Sequence, residues 1–283
     1  MKKCKRAKQT SWKIKLASIG ISSLLLLTGL MGCAPNSQTI YQKAVEKTQA
    51  AKSYRAAVDM DMGIGSQGIH MDIGMKMDMQ TLTEPVRMKG EMSLSAMGFN
   101  LDMKMYLDEE NSYINMMDQW YRSANDNDSE ENNLLTTMNQ QDMMGIYTAE
   151  PTSIEMLGEE EINGQACYKL EAKMSGEEIL KQVNDYIKEA VADDDTPHIE
   201  QPDDITMILW INKKTGYFDK VESDMTQALA QWIGSELEKE KIDISKFILT
   251  ISMSDYNAIE EFVIPQEVLD APEMPAGAGS MPF

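Results

Sequence analysis

A two-residue rhythm between Tyr54 and Leu107 constrains this chain more than any other feature. Tyr54, Ala56, Val58, Met60, Met62 and Ile64 alternate with Arg55, Asp59 and Asp61. Ile69, Met71, Ile73, Met75, Met77 and Met79 alternate with His70, Asp72, Lys76 and Asp78. The same beat carries Val86, Met88, Met92 and Leu94 against Arg87, Lys89, Glu91 and Ser93, then Phe99, Leu101, Met103, Met105 and Leu107 against Asn100, Asp102, Lys104 and Asp108. Successive side chains of a strand point to opposite faces, so each run has one apolar and one charged face. The runs are parted by Gly65-Ser66-Gln67-Gly68, Glu84-Pro85 and Met97-Gly98. They predict an antiparallel meander with one wet side.

Around this meander the pattern reads as a mixed α+β chain. A helix is expected from Asn36 to about Lys52, with Ile40, Ala44, Thr48 and Ala51 on one stripe and Ser37 as N-cap. A fifth strand is expected from Ser112 to Tyr121 and a short helix from Leu134 to Ile146. Asn163-Gly164 marks a hairpin between Ile154–Ile162 and Ala166–Met174. Ser175 and Glu178 form a capping box for a helix facing inward with Ile179, Leu180, Val183 and Ile187. A second hairpin turns at Lys213-Lys214-Thr215-Gly216 between Ile205–Asn212 and Tyr217–Met225, followed by a helix from Thr226 to Lys241 and a last strand from Phe247 to Met253. A Pro/Gly/Ala-rich tail, residues 272–283, is expected to be disordered. The sum is one domain over residues 39–271, with roughly nine or ten strands and three or four helices.

The N-terminus supplies an address. Lys2, Lys3, Lys5, Arg6, Lys8, Lys13 and Lys15 precede a short apolar run, Ile19 to Leu30, in the order of a secretory signal. The run ends in Leu30-Met31-Gly32-Cys33, which resembles a bacterial lipobox despite Met at its third position from the end. That likeness implies cleavage between Gly32 and Cys33, acylation of Cys33, and a lipid anchor on the extracytoplasmic side of the cell membrane. Residues 1–32 are then signal and residues 33–38 a tether. Cleavage removes seven positive charges and no negative ones, taking the net charge from −20 to −27. Such a chain is repelled by nucleic acid. Cys4 leaves with the signal, so Cys167 has no partner within the chain.

Catalytic and cofactor patterns do not survive inspection. Gly63-Ile64-Gly65-Ser66-Gln67-Gly68 matches the dinucleotide fingerprint literally, but a strand follows it rather than a helix, so no helix N-terminus faces a phosphate. The acidic runs Asn125–Glu131 and Asp193–Asp195 lack calcium-loop spacing and read as solvated loops. His70 and His198 are the only histidines, and no nucleophile motif or Cys pair accompanies them. No metal, cofactor or catalytic residue is assigned, and the chain reads as a non-enzyme.

Methionine is the unusual element. Met60, Met62, Met71, Met75, Met77, Met88, Met92, Met103 and Met105 share the apolar parity. Three readings follow. The face is an ordinary core; or it lines an adaptable cavity for an apolar ligand, since unbranched thioethers reshape readily; or its Met-x-Met pairs hold Cu(I), although no histidine shares the face.

The Met-alternating strands from Met60 to Met105, Gln119-Trp120-Tyr121, Gly158 to Leu170, Leu209-Trp210-Ile211 through Thr215, and Asp255-Tyr256-Asn257 before Ile264-Pro265 together resemble lipoproteins of the LolA/LppX-like superfamily. Within it the chain is similar to an uncharacterised set of Gram-positive, Met-rich lipoproteins. The resemblance implies a half-barrel of antiparallel strands with helices on its concave side, closing over an apolar cavity. The expected function is a lipid-anchored binding protein for a lipid or another hydrophobic molecule. The alternative is an acidic interaction module that docks an envelope protein, with the Met face as plain core.

The anchor is tested by replacement. Cys33→Ser should abolish acylation and processing, because acyl transfer needs the thiol. A Cys33→Ser protein that still takes up labelled palmitate would refute the assignment.

Overall fold

The alternating runs pair with their chain neighbours, as their turn residues demand. The computed structural model describes residues 36–66, 68–125, 148–179, 203–232 and 241–274. Helix α1 (Ser37–Gln49) leads into β1 (Ser53–Ser66), β2 (Ile69–Thr83), β3 (Val86–Ala96), β4 (Phe99–Leu107), β5 (Asn111–Met116) and β6 (Gln119–Ala124). A second group holds β7 (Ser153–Ile162), β8 (Gln165–Met174), β9 (Ile205–Asn212), β10 (Phe218–Asp224), α2 (Thr226–Trp232), β11 (Ile242–Ser254) and α3 (Gln266–Leu269). All eleven strands form one antiparallel sheet in the order β6-β5-β4-β3-β2-β1-β11-β10-β9-β8-β7. The sheet is open, with β6 and β7 at its edges.

Four differences from the sequence reading have physical causes. Eleven strands replace roughly nine or ten. The expected fifth strand turns back on itself at Met117 and Asp118, whose φ angles are 51° and 64°, and becomes β5 and β6. Methionine is no turn signal, so the break was not legible. Strand β11 begins at Ile242 rather than Phe247, because a bulge at Ser245 interrupts the alternation and keeps both Ile244 and Phe247 on the apolar face. Helix α3 packs on the polar face, not beside the other helices: Val268 and Ile264 cluster with Tyr113, Tyr106 and Trp120. The ordered chain runs on to Met274, since Arg122 N–H donates to Pro272 O and Met274 N–H to Arg122 O.

Other expectations stand as read, or lie beyond view. Glu178 N–H donates to Ser175 Oγ at 3.3 Å, so the capping residue works as expected. The helix expected over 134–146 lies outside the described residues, as do the signal, Cys33 and the end of the helix expected over 226–241.

Side chains cross the sheet in rows set by strand register. Met156, Leu170, Leu209, Val221, Ile251, Val58, Met77, Met92 and Met103 stand side by side through nine strands without a polar interruption. Helices α1 and α2 add Tyr41, Ala44 and Ala228 to the same core. Close spacing on this face needs one glycine. A Cβ at Gly90 would lie 2.8 Å from the Asp78 carbonyl oxygen, 3.2 Å from Met79 Cγ and 3.5 Å from Met105 Cγ. The backbone oxygen cannot swing aside as a side chain can.

Gly90→Val should therefore destabilise the domain by roughly 1–3 kcal/mol through overpacking. Chemical denaturation of the variant checks this, and an unchanged midpoint would show that the row has slack.

Candidate functional site: the methionine face

The apolar face is not uniformly buried. In the row Met156 to Met103 all residues but Met156 are buried. The row beneath it runs Met253, Ala56, Met79, Gly90, Met105 and Ile114, and its side chains are buried as well. One row above, the pattern splits across the sheet. Ala172, Met207 and Ser223 are buried, whereas Leu249, Met60, Met75, Leu94 and Leu101 are half-buried. In the next row Met174 and Ile205 are buried, Phe247, Met62, Ile73 and Ala96 are half-buried, and Phe99 is exposed. Ile244, Ile64 and Met71 continue the half-buried ground.

The sequence candidates divide accordingly. Met77, Met88, Met92, Met103 and Met105 belong to the packed core. Met60, Met62, Met71 and Met75 lie on a half-buried apolar patch across β11, β1, β2, β3 and β4. Leu94, Leu101 and Ile73 share that patch and show the same alternation, so a search restricted to methionine passed over them. Leu249 and Phe247 join it only through the pairing of β11 with β1. Gly32 and Cys33 lie outside the described residues.

Chemically the patch offers dispersion contact and thioether sulfur. Met60 stands directly opposite Met75. Cross-strand neighbours of this kind sit about 5 Å apart at Cβ. His70 projects from the opposite face, where its Nε2 lies 3.2 Å from Asp72. Among the described residues, no group of three or more His, Cys, Asp or Glu is placed to hold a metal ion.

The polar face carries the charges and the lone thiol. Arg55 grips Asp78 with two donors, Nε to Oδ1 at 2.9 Å and Nη2 to Oδ2 at 2.6 Å. A cleft of about 620 Å³ opens here between β1–β5 and α3, lined by that pair with Lys89, Glu91, Lys104 and Trp120. Its polar walls do not suit an acyl chain. Cys167 is buried and donates to Asp219 Oδ2 at 3.3 Å, while Asn212 Nδ2 donates to the same oxygen at 2.8 Å. Burial first, and the hydrogen bond to Asp219 second, push the thiol up to about 12. It stays protonated at neutral pH and is a poor nucleophile.

Truncation separates the two zones of the face. Met92→Ala and Met103→Ala should cost roughly 2–5 kcal/mol, because each leaves a void in the packed core. Met60→Ala and Met75→Ala should cost about 1 kcal/mol or less, since those side chains already border open space. Equal losses at all four positions in a urea titration would erase the distinction.

No curated protein matches the sequence. Among solved structures, LprF from Mycobacterium bovis is 12% identical and aligns over 82% of this chain and 98% of its own, with a TM-score of 0.51. The lipoprotein LppX of Mycobacterium tuberculosis is 12% identical over 80% of this chain and 98% of its own, at a TM-score of 0.48. At these identities the likeness to LprF speaks for the fold alone, and the fold is of the LolA/LppX-like kind. Residues 36–273 match a family of unknown function, DUF6612, and the chain belongs to that family.

Proposed function

We propose that this protein is a non-enzymatic, lipid-anchored binding protein of the extracytoplasmic membrane surface, acylated at Cys33, which seats an acyl chain or a similar apolar ligand on the half-buried methionine patch. The observation that carries the reading is the split within single rows. Register places Met60 and Met75 in line with Ala172 and Met207, yet the first pair stays half-buried where the second is buried. A sheet that needed only a core would bury its apolar row from end to end. Flexible thioethers suit a seat that must adapt to chains of different length and unsaturation. Among the described residues no helix is long and apolar enough to cross a membrane, so a lipid on Cys33 is the attachment this reading requires.

The test measures binding of a fluorescent fatty acid to the membrane-purified protein, beside native mass spectrometry of whatever co-purifies. Met60→Gln and Met75→Gln should weaken binding about tenfold, equivalent to about 1.4 kcal/mol, with little change in melting temperature. Non-saturable binding and an empty protein would remove the ligand and favour the acidic interaction module.

A further inference from the structure

The two ends of the sheet differ in a way that the binding role does not require. At one end lie the turns β2–β3, β4–β5, β7–β8 and β9–β10. They present Glu84-Pro85, Glu109-Glu110, Asn163-Gly164 and Lys213-Lys214-Thr215, all of them exposed. At the other end lie the turns β1–β2, β3–β4 and β5–β6, and their tips are apolar. Ile69 is 66% exposed, Met97 72%, Phe99 79% and Met117 92%.

Backbone conformation sharpens the contrast. Met97 and Met117 both adopt φ of 51°, the left-handed region that favours Gly, Asn and Asp. The hairpin at the polar end fills the equivalent position with Asn163, φ 50°. Two methionines thus occupy strained turn positions while touching little of the protein. Strain of this kind, without packing to explain it, points to a contact outside the molecule.

Where the chain enters the domain suggests what that contact is. Helix α1 begins beside the second residue of β7, where Ser37 Oγ donates to Ile154 O at 3.3 Å. It ends at the polar rim, where Lys47 Nζ donates to Thr215 O at 2.6 Å. Chain upstream of Ser37 therefore leaves toward the apolar rim. Ile154 belongs to the row of Met60, and Phe99 lies one same-face row nearer the rim, about 7 Å along the strands. The four residues from Cys33 to Ser37 span at most about 14 Å. An acyl chain on Cys33 would hold this rim, and no other, within reach of the bilayer.

We infer that the rim bearing Ile69, Met97, Phe99 and Met117 is a membrane-docking edge that dips into the headgroup and upper acyl region of the anchoring bilayer. The half-buried patch runs up to the same rim through Met62, Ile64 and Met71. A docked rim would open the proposed ligand seat directly onto the lipid phase. This inference rests on the Cys33 reading for its geometry.

The experiment uses the full chain in its own membranes, with a polarity-sensitive thiol probe at Ile69→Cys, Phe99→Cys or Met117→Cys and at Glu109→Cys or Lys214→Cys on the opposite rim. The buried Cys167 leaves the introduced thiol as the labelling site. Probes at the first three positions should shift to the blue and be quenched several-fold by lipids nitroxide-labelled near the headgroup. Probes at the last two should behave as in water. Met97→Asn with Met117→Asn should leave the melting temperature unchanged or raised, because asparagine prefers that conformation, yet should return the Ile69 probe to water-like emission. Palmitate labelling separates the two claims. An acylated protein whose rim probes match those of the opposite end overturns the docking edge and leaves the anchor standing. Quenched rim probes on a protein without acyl label support the edge and overturn the anchor.

Discussion

The pairing of β1 with β11 is the contact on which the rest of this structure depends. Each half of the chain builds its own run of antiparallel neighbours, and the seam from Arg55↔Ser254 to Ser66↔Ile242 makes them one sheet. It joins residues nearly two hundred positions apart, so its formation bears a loop-closure cost that local hairpins avoid. Register here is unforgiving. A one-residue slip would bring Ser252 or Thr250 into line with Val58 and break the apolar row at its centre. Asp255-Tyr256-Asn257 closes the end of the seam. Asn257 N–H donates to Ser53 O, its Oδ1 accepts from Lys52 N–H, and Tyr256 stacks on Tyr217 at 4.1 Å while its hydroxyl donates to Phe218 O. A tripeptide that stands out in the sequence thus acts as a latch between the first strand and the last.

Once the seam is set, stability and exposure divide along the strands. Rows near the polar rim are packed on both halves and supply the core, each fully buried methionine contributing roughly 1.5–3 kcal/mol of transfer free energy. Toward the other rim β11, β1 and β2 extend beyond their neighbours, and the apolar face there is only half-buried. Polar groups do little of the holding. Arg55–Asp78, Lys76–Asp59 and Lys246–Asp61 pair across exposed strands, where each contributes about 0–1 kcal/mol. Their effect is to keep the charged face charged and to resist a flip of the sheet.

Much of this was legible. Period-two alternation named the first four strands and their inward parity, because side-chain direction in a strand is fixed by position alone. Asn163-Gly164 and Lys213 to Gly216 marked their hairpins because those turns need the conformations such residues favour. The turn at Met117-Asp118 and the bulge at Ser245 escaped notice for the converse reason. A left-handed methionine and an extra serine carry no local signal, and both are held by neighbouring strands rather than by preference.

The candidate site shows the same boundary. Sequence by itself determined that Met60, Met62, Met71 and Met75 share a face with Met77, Met88, Met92, Met103 and Met105, since that follows from counting by twos. Only the tertiary structure decided which of them are core and which are half-buried, because burial depends on what packs above a row, and parity says nothing of that. Only the tertiary structure, too, brought Phe247 and Leu249 beside Met62 and Met60 and gathered Ile69, Met97, Phe99 and Met117 at one end of the sheet. These residues meet through strand pairings distant in the chain, and a linear pattern holds no measure of that distance.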